Sequence, residues 1–286
     1  MARKVQAARL SVASNVLLVA AKLAVGLATG SVSVLSEAIH SMMDLAAAVI
    51  ALFSVRVASR PADEDHAYGH GKVENLSALV EGALIIGAAG WIVAEAAGKL
   101  YAGHTGAGTV GPGIVVMAAS ALINWTVSGY LFRVARAEES MALEADALHL
   151  RTDVWTSAGV LAGLLLVRLT GLAWLDPVVA MAVAAMIAKA GWDACRGALQ
   201  PLVDARLPRD EEAEIVRLIE EHREAYVEYH DLRTRRSGAV RHVDFHLVVR
   251  GQQPLDEVHR LCDQIEAAIC RRFPAAHVLI HPEPAG

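Results

Sequence analysis

Six stretches of mostly apolar residues run over roughly 10–29, 33–55, 76–98, 112–132, 145–168 and 174–194, each bounded by Gly, Pro or charged positions. A hydrocarbon core is crossed by about 20 helical residues, so the pattern predicts six transmembrane helices. After residue 204 the pattern changes. Glu211–Glu224, preceded by Pro208, reads as a helix, and Val227–Arg235 reads as a strand. Ser237-Gly238 is a turn. Val240–Val249 alternates, with Val243, Phe245 and Leu247 on one face and His242, Asp244 and His246 on the other. Leu255–Arg272 carries Val258, Leu261, Ile265 and Ile269 at helical spacing, and Ala276–Ile280 closes the chain as a short strand. The fold class is mainly α. A six-helix transmembrane bundle over 1–204 precedes a small α+β module, ordered αββαβ, over 205–286.

Charge sharpens that division. Residues 1–204 hold 14 basic and 16 acidic side chains, and the 82 residues after them hold 12 and 15. Charge density thus doubles where the apolar runs stop, as expected when a membrane part gives way to a soluble one. The 286 residues are 55% hydrophobic with a formal net charge of −5. The apolar content excludes intrinsic disorder, and the acidic balance excludes a strongly basic nucleic-acid binder. Cys195, Cys262 and Cys270 form no CxxC pair, which fits a reducing compartment rather than a disulfide framework. Arg3, Lys4 and Arg9 precede the first run, Arg56, Arg60 and Lys72 lie between the second and third, and Arg133 and Arg136 between the fourth and fifth. The opposite loops offer only Lys99 and Arg168 near helix ends. The positive-inside rule therefore places both termini in the cytoplasm. The first run is long for a signal-peptide core and no convincing cleavage site follows it. A module of about 80 residues is marginal alone, so docking or dimerisation would help it.

Ionisable residues inside hydrocarbon are costly and point to function. The second apolar run contains His40 and Asp44, and the fifth contains His149 and Asp153. In both, histidine and aspartate stand four apart and share a helix face. Two such helices side by side offer two imidazoles and two carboxylates, a tetrahedral set for a divalent metal such as Zn²⁺. A pair taken alone also reads as an internal hydrogen bond of its own helix; the repetition favours metal. Lys22 and Lys189 read as snorkelling or paired lysines. Glu81, Glu95 and Asp176 lie near helix ends or face a wet cavity, while Asn124 and Ser128 read as helix-packing groups. The loop Asp63-Glu64-Asp65-His66-Ala67-Tyr68-Gly69-His70 admits a second metal site and a plain solvated loop equally. Seven of the twelve histidines lie after residue 205. That density suggests metal binding, although any single one, such as His222 or His242, reads as a surface residue.

Leu35-Ser36-Glu37-Ala38-Ile39-His40-Ser41-Met42-Met43-Asp44, Tyr68-Gly69-His70-Gly71-Lys72-Val73-Glu74 and Ala145-Asp146-Ala147-Leu148-His149-Leu150-Arg151-Thr152-Asp153 together resemble the cation diffusion facilitator family, in its bacterial iron/zinc branch. His230-Asp231-Leu232-Arg233-Thr234-Arg235 and Arg271-Arg272-Phe273-Pro274 are similar to the same branch, so the resemblance spans nearly the whole chain. It implies a homodimer in the bacterial inner membrane, with a cytoplasmic metallochaperone-like domain, that exports a divalent metal in exchange for protons. His40, Asp44, His149 and Asp153 would form the transport site. Asp63, His66 and His70 would form a loop site, and His230, His246, His259, His281 and Glu283 a binuclear site in the tail. Lys72 and Asp204 match an interlock between protomers. Some relatives have Asp where His40 stands, and two His with two Asp looks like the more zinc-selective version. Fe²⁺, Co²⁺ and Cd²⁺ remain admissible cargo. Glu283 stands where relatives often have Asp, which leaves its reach open. The rival readings are an intramembrane metal hydrolase, for which no His-Glu-x-x-His occurs, and a non-transporting metal sensor.

Overall fold

The computed structural model describes residues 2–29, 32–102, 113–172 and 174–285. They divide into two units, one formed by 1–61 and 73–199 and the other by 62–72 and 200–286. The loop 62–72 therefore groups with the C-terminal residues, an association that chain order alone does not convey.

The first unit contains six long helices among the described residues: α1 (Ala2–Thr29), α2 (Val32–Ala58), α3 (Lys72–Ala102), α4 (Gly113–Glu138), α5 (Met141–Thr170) and α6 (Leu175–Leu202). Five of them, all but α4, are long and apolar enough to cross a membrane among the described residues. Residue 112, the expected start of the fourth apolar run, lies outside the described residues. The helices outrun the apolar windows. The 31 residues of α3 extend about 46 Å at 1.5 Å per residue, against a hydrocarbon core of about 30 Å. Hydropathy marks the part in lipid, whereas backbone hydrogen bonding carries each helix beyond it.

Local chemistry sets several of these ends. Ser140 caps α5, its side chain accepting the Leu143 N–H, and Gly171 closes the helix in the left-handed region at φ 73°. The same Ser140 hydroxyl makes a very short hydrogen bond to the buried Glu74 carboxylate. Lys4 Nζ meets the other oxygen of Glu74 at 3.1 Å. One carboxylate thus ties together the starts of α1, α3 and α5. Within the bundle α1 packs along α2 and α4, and α5 lies against α4 and α2. Glycine brings α3 and α6 close: a Cβ on Gly82 would meet Cys195 Sγ at 2.7 Å, and one on Gly191 would meet the Gly82 carbonyl at 3.1 Å. Small residues at such crossings let backbones approach and gain dispersion contacts, the main packing energy available in lipid.

The second unit has two layers. Helices α7 (Arg209–Glu220) and α8 (Leu255–Arg272) cover one face of a sheet formed by β1 (Glu228–Ser237), β2 (Val240–Val249) and β3 (Ala276–Pro284). Strand order is β1-β2-β3, with β1 and β2 antiparallel through the turn at Gly238 and β2 and β3 parallel across α8. Ile215, Ile219, Val243, Phe245, Leu247, Ile265 and Ile269 are essentially inaccessible and form the core. Both helices carry acids in the first turn and arginine in the last, the arrangement the helix dipole favours. The expected α-β-β-α-β order appears, with one extension. The last strand continues from Ile280 to Pro284 because Leu247, Val248 and Val249 of β2 supply ladder partners that local sequence does not reveal. That extension places His281 and Glu283 on the sheet.

Candidate functional site

Helices α2 and α5 bring the intramembrane His–Asp pairs together. Asp44, 5% exposed, is the hub. Its Oδ1 lies 3.2 Å from His149 Nε2 and 3.9 Å from His40 Nε2. Ligand atoms of His40, Asp44 and Asp153 all lie within 4.8 Å of one another, and His149 joins that group through Asp44. Ligands around a tetrahedral Zn²⁺ at about 2.0–2.1 Å stand about 3.3 Å apart. The His149–Asp44 edge already has that length. The His149 Nδ1 is buried without a hydrogen-bond partner.

Two residues read from the sequence as packing groups have more specific partners. Asn124 of α4 donates to Asp153 Oδ2 at 3.4 Å. Ser128, one turn further on, accepts from Arg151 Nε at 3.1 Å. The Arg151 guanidinium stacks 3.9 Å from the Trp125 ring centre, so this arginine, flanked in sequence by His149 and Asp153, is held against α4. Glu81 differs from expectation. It is completely buried and accepts from Ser77, rather than facing a wet cavity or lying at an exposed helix end. Glu95 pairs with Lys99 at 2.9 Å. The side chain of Glu37 lies outside the described residues.

The loop residues also converge. Asp63 Oδ2 lies 3.3 Å from His70 Nε2, and Asp63 Oδ1 lies 3.4 Å from His66 Nδ1. The His66 backbone N–H donates to Asp63 at 2.8 Å. That bond, reinforced by the His70 ring, holds the Asp63 carboxyl below the usual carboxylate range and keeps it ready to ligate. The sequence spacing, which fits a solvated loop equally well, thus corresponds to a preformed three-residue cluster.

In the sheet, His230 of β1 faces His246 of β2, which faces His281 of β3. Ligand atoms of His230, His246 and Glu283 lie within 4.8 Å of one another. Glu283 is the centre, at 2.8 Å from His246 Nδ1, 3.5 Å from His230 Nε2 and 3.8 Å from His281 Nε2. Its extra methylene, relative to aspartate, therefore reaches three imidazoles. His259 stands apart from this cluster within the chain. It sits on α8 beside Asp263 at 3.7 Å and is largely exposed. Val258 and Leu261 of that helix are buried in the core, which puts α8 on the opposite face of the sheet from this cluster.

Lys72 Nζ bonds Asp204 Oδ1 at 2.8 Å within a single chain. Both residues belong to the second unit. Lys72 is the main cause that holds the Asp204 carboxyl below its ordinary range. His242 is a correction. Read as a surface residue, it is 6% exposed, stacked on His277 with ring centres 5.6 Å apart and met edge-on by Tyr68 at 5.5 Å. The parallel pairing of His242 with His277 is the missing signal, since it joins residues 35 positions apart that have no local relation.

The chain is similar to known proteins along nearly its whole length. The cation efflux transmembrane domain matches residues 8–203, and the cation efflux protein cytoplasmic domain matches residues 207–285. The cation-efflux pump FieF of Yersinia enterocolitica is 36% identical over 287 residues, covering 99% of this chain and 94% of that one. An uncharacterized transporter of Synechocystis, sll1263, is 36% identical over 256 residues, covering 90% of this chain and 82% of its own length. A solved chain of CzrB in a Zn form shares 46% identity, covering 28% of this chain and 92% of that one, with a TM-score of 0.27.

Proposed function

The chain belongs to the cation diffusion facilitator family, and from that premise we propose that it exports Zn²⁺ from the cytoplasm in exchange for protons, through His40, Asp44, His149 and Asp153. It is an integral membrane cation-efflux transporter, and its named relatives are pumps rather than enzymes. The observation that carries the proposal is the approach of two His–Asp pairs around the buried Asp44 carboxylate, at 3.2 and 3.9 Å, inside helices long and apolar enough to cross a membrane.

The coupling follows from ligand chemistry. Histidine must be neutral and aspartate ionised to bind metal, so loading releases protons. Histidine changes charge near neutral pH, and a proton-rich far side competes for the same atoms and expels the cation. Two carboxylates offset the charge of a divalent ion, so the loaded site is near neutral and can pass through low dielectric. Rocking of the helices around a midplane site then gives alternating access. Zn²⁺ suits two imidazoles and two carboxylates; Fe²⁺, Co²⁺ and Cd²⁺ are the alternative cargo.

The basic residues at one set of helix ends support cytoplasmic termini. Residues 1–204 carry the transport function in this reading. Residues 205–286 form a regulatory and dimerising domain, in which the loop cluster and the His230–His246–His281–Glu283 cluster sense cytoplasmic metal as part of a homodimer. Metal binding there biases transport only if it favours one of two conformations. Truncation after residue 204 should lower transport and its dependence on metal while sparing binding at the quartet.

Zn²⁺ flux into sealed proteoliposomes under an imposed pH gradient tests the proposal. The wild type should carry gradient-dependent flux, and Asp44→Ala and Asp153→Ala should both abolish it. Flux of no metal by folded protein in intact vesicles would overturn the transport reading, and flux indifferent to the pH gradient would overturn proton exchange alone.

A further inference from the structure

The quartet draws its four side chains from α2 and α5, and one further polar side chain reaches it from a third helix. Asn124 of α4 is 7% exposed, and its Nδ2 donates to Asp153 Oδ2 at 3.4 Å. The other arm of the same amide, Oδ1, is buried with no hydrogen-bond partner among the described residues. An unpaired buried carbonyl is unfavourable and uncommon in folded proteins. Packing alone does not require it, since an apolar side chain of similar size would fill the space at lower cost. The position of the amide is fixed by its neighbours. Trp125, next in sequence, carries the Arg151 guanidinium at 3.9 Å from its ring centre, and Ser128, one turn on, accepts from Arg151 Nε at 3.1 Å. Val127 and Leu131 of α4 share a buried cluster with Ala147 and Leu150 of α5. Asn124 is thus held against α5, beside one carboxylate of the quartet.

An asparagine amide has two chemically unlike arms of nearly the same shape. Half a turn about its last side-chain bond exchanges them and puts Oδ1 where Nδ2 stands. That place is 3.4 Å from Asp153 Oδ2, close to the roughly 3.3 Å between neighbouring ligand atoms around one cation. The amide can therefore give the site either an N–H for its carboxylate or a neutral oxygen for its cargo. A neutral oxygen adds a ligand without adding charge and without entering the proton balance. Zn²⁺ is satisfied by four ligands. Mn²⁺ takes six and favours carbonyl and carboxylate oxygen. We propose that Asn124 determines cargo specificity at the transport site: its amide donates to Asp153 while four ligands hold Zn²⁺, and turns its carbonyl to a cation that takes more than four. The proposal rests on the quartet being the transport site. It widens the cargo beyond what two histidines and two aspartates alone would favour.

Two measurements on the full-length protein in detergent separate this role from a structural one, with His70→Ala and His246→Ala quieting the loop and sheet clusters. The first is the visible spectrum of bound Co²⁺, whose absorption is strong with four ligands and weak with more. The second is the ratio of Zn²⁺ to Mn²⁺ affinity. Asn124→Leu keeps the bulk and removes both arms of the amide, so Co²⁺ absorption should rise several-fold. Its Zn²⁺ affinity should fall only roughly two- to twelvefold, as one hydrogen bond is lost. Its Mn²⁺ affinity should fall roughly a hundredfold. Asn124→Asp, which keeps an oxygen in the same place, should hold Co²⁺ absorption near that of the wild type. Equal weakening of both cations with an unchanged Co²⁺ spectrum is what a structural role gives, and it would overturn the proposal. If Asn124→Leu does not assemble, Asn124→Ala should shift the ratio in the same direction by a smaller factor, and an unchanged ratio would count against the proposal. Asp44→Asn separates the two readings. If it leaves Co²⁺ and Zn²⁺ binding intact, the quartet is not the cargo site and both readings fall. If it abolishes binding while Asn124→Leu leaves the ratio unchanged, only the role of Asn124 falls.

Discussion

Asp44 is the residue of the proposed transport site whose loss should be felt most. Its Oδ1 serves both His149, at 3.2 Å, and His40, at 3.9 Å. It is 5% exposed, so water cannot readily substitute for it. With both carboxylates ionised and both imidazoles neutral, a bound divalent cation leaves the ligand set neutral. Asp44→Asn keeps the shape and removes one charge, so binding then strands a net positive charge in the bundle. Breaking a buried charge pair from one side costs about 3–5 kcal/mol, which is a loss of roughly two to three and a half orders of magnitude in affinity. Asn124→Ala provides the internal scale. It removes a single hydrogen bond of 3.4 Å to Asp153, worth about 0.5–1.5 kcal/mol, or roughly two- to twelvefold. Zn²⁺ affinity would be measured by competition with a chelating dye, in full-length protein carrying His70→Ala and His246→Ala to quiet the loop and sheet clusters. Size-exclusion profiles would confirm that each variant remains folded. The reasoning fails if Asp44→Asn loses no more affinity than Asn124→Ala, because the hub would then not be a ligand.

Two further outcomes follow from the second unit. A Cβ at Gly71 would sit 2.6 Å from the Ser237 carbonyl oxygen and 2.9 Å from its carbon, backbone atoms that cannot swing aside. Gly71→Ala should cost about 1–3 kcal/mol and raise hydrogen exchange across residues 62–72 by roughly five- to hundredfold; unchanged exchange would show that this contact does not hold the loop. His242 is held below the ordinary histidine range by burial first, and then by the Arg235 guanidinium and His277. Between that depressed value and about 6.5 the unfolded chain binds more protons than the folded one, so stability falls as pH drops through the window. His242→Gln should flatten the fall in melting temperature between about pH 7.5 and 5.5, and an unaltered slope would contradict the assignment.

Much of this protein is legible in its residues because the relevant physics is local. Runs of about 20 apolar residues require helices in lipid, since no water is present to satisfy the backbone. A four-residue spacing puts His40 with Asp44, and His149 with Asp153, on one face of their own helices before any packing is known. Alternation in Val240–Val249 separates Val243, Phe245 and Leu247 from Asp244 and His246, and burial follows it. His242 breaks the alternation because Tyr68, from a loop about 170 residues earlier, packs against it.

What local pattern could not decide is which distant groups share a site. The meeting of Asp44 with His149 depends on α2 packing against α5. Glu283 reaches three histidines only because β3 pairs in parallel with β2 and continues past Ile280. His259, similar to a family ligand by motif, stands in the other layer because Val258 and Leu261 turn α8 onto the core. Lys22 reads from sequence as a snorkelling or paired lysine, and only the neighbouring helix, with Ser41 at 2.8 Å, gives it a buried hydrogen bond. The physical reason is the same throughout. Helix propensity, hydropathy and ligand spacing act over a few residues, whereas charge compensation and coordination act across space, between elements that only tertiary packing brings within reach.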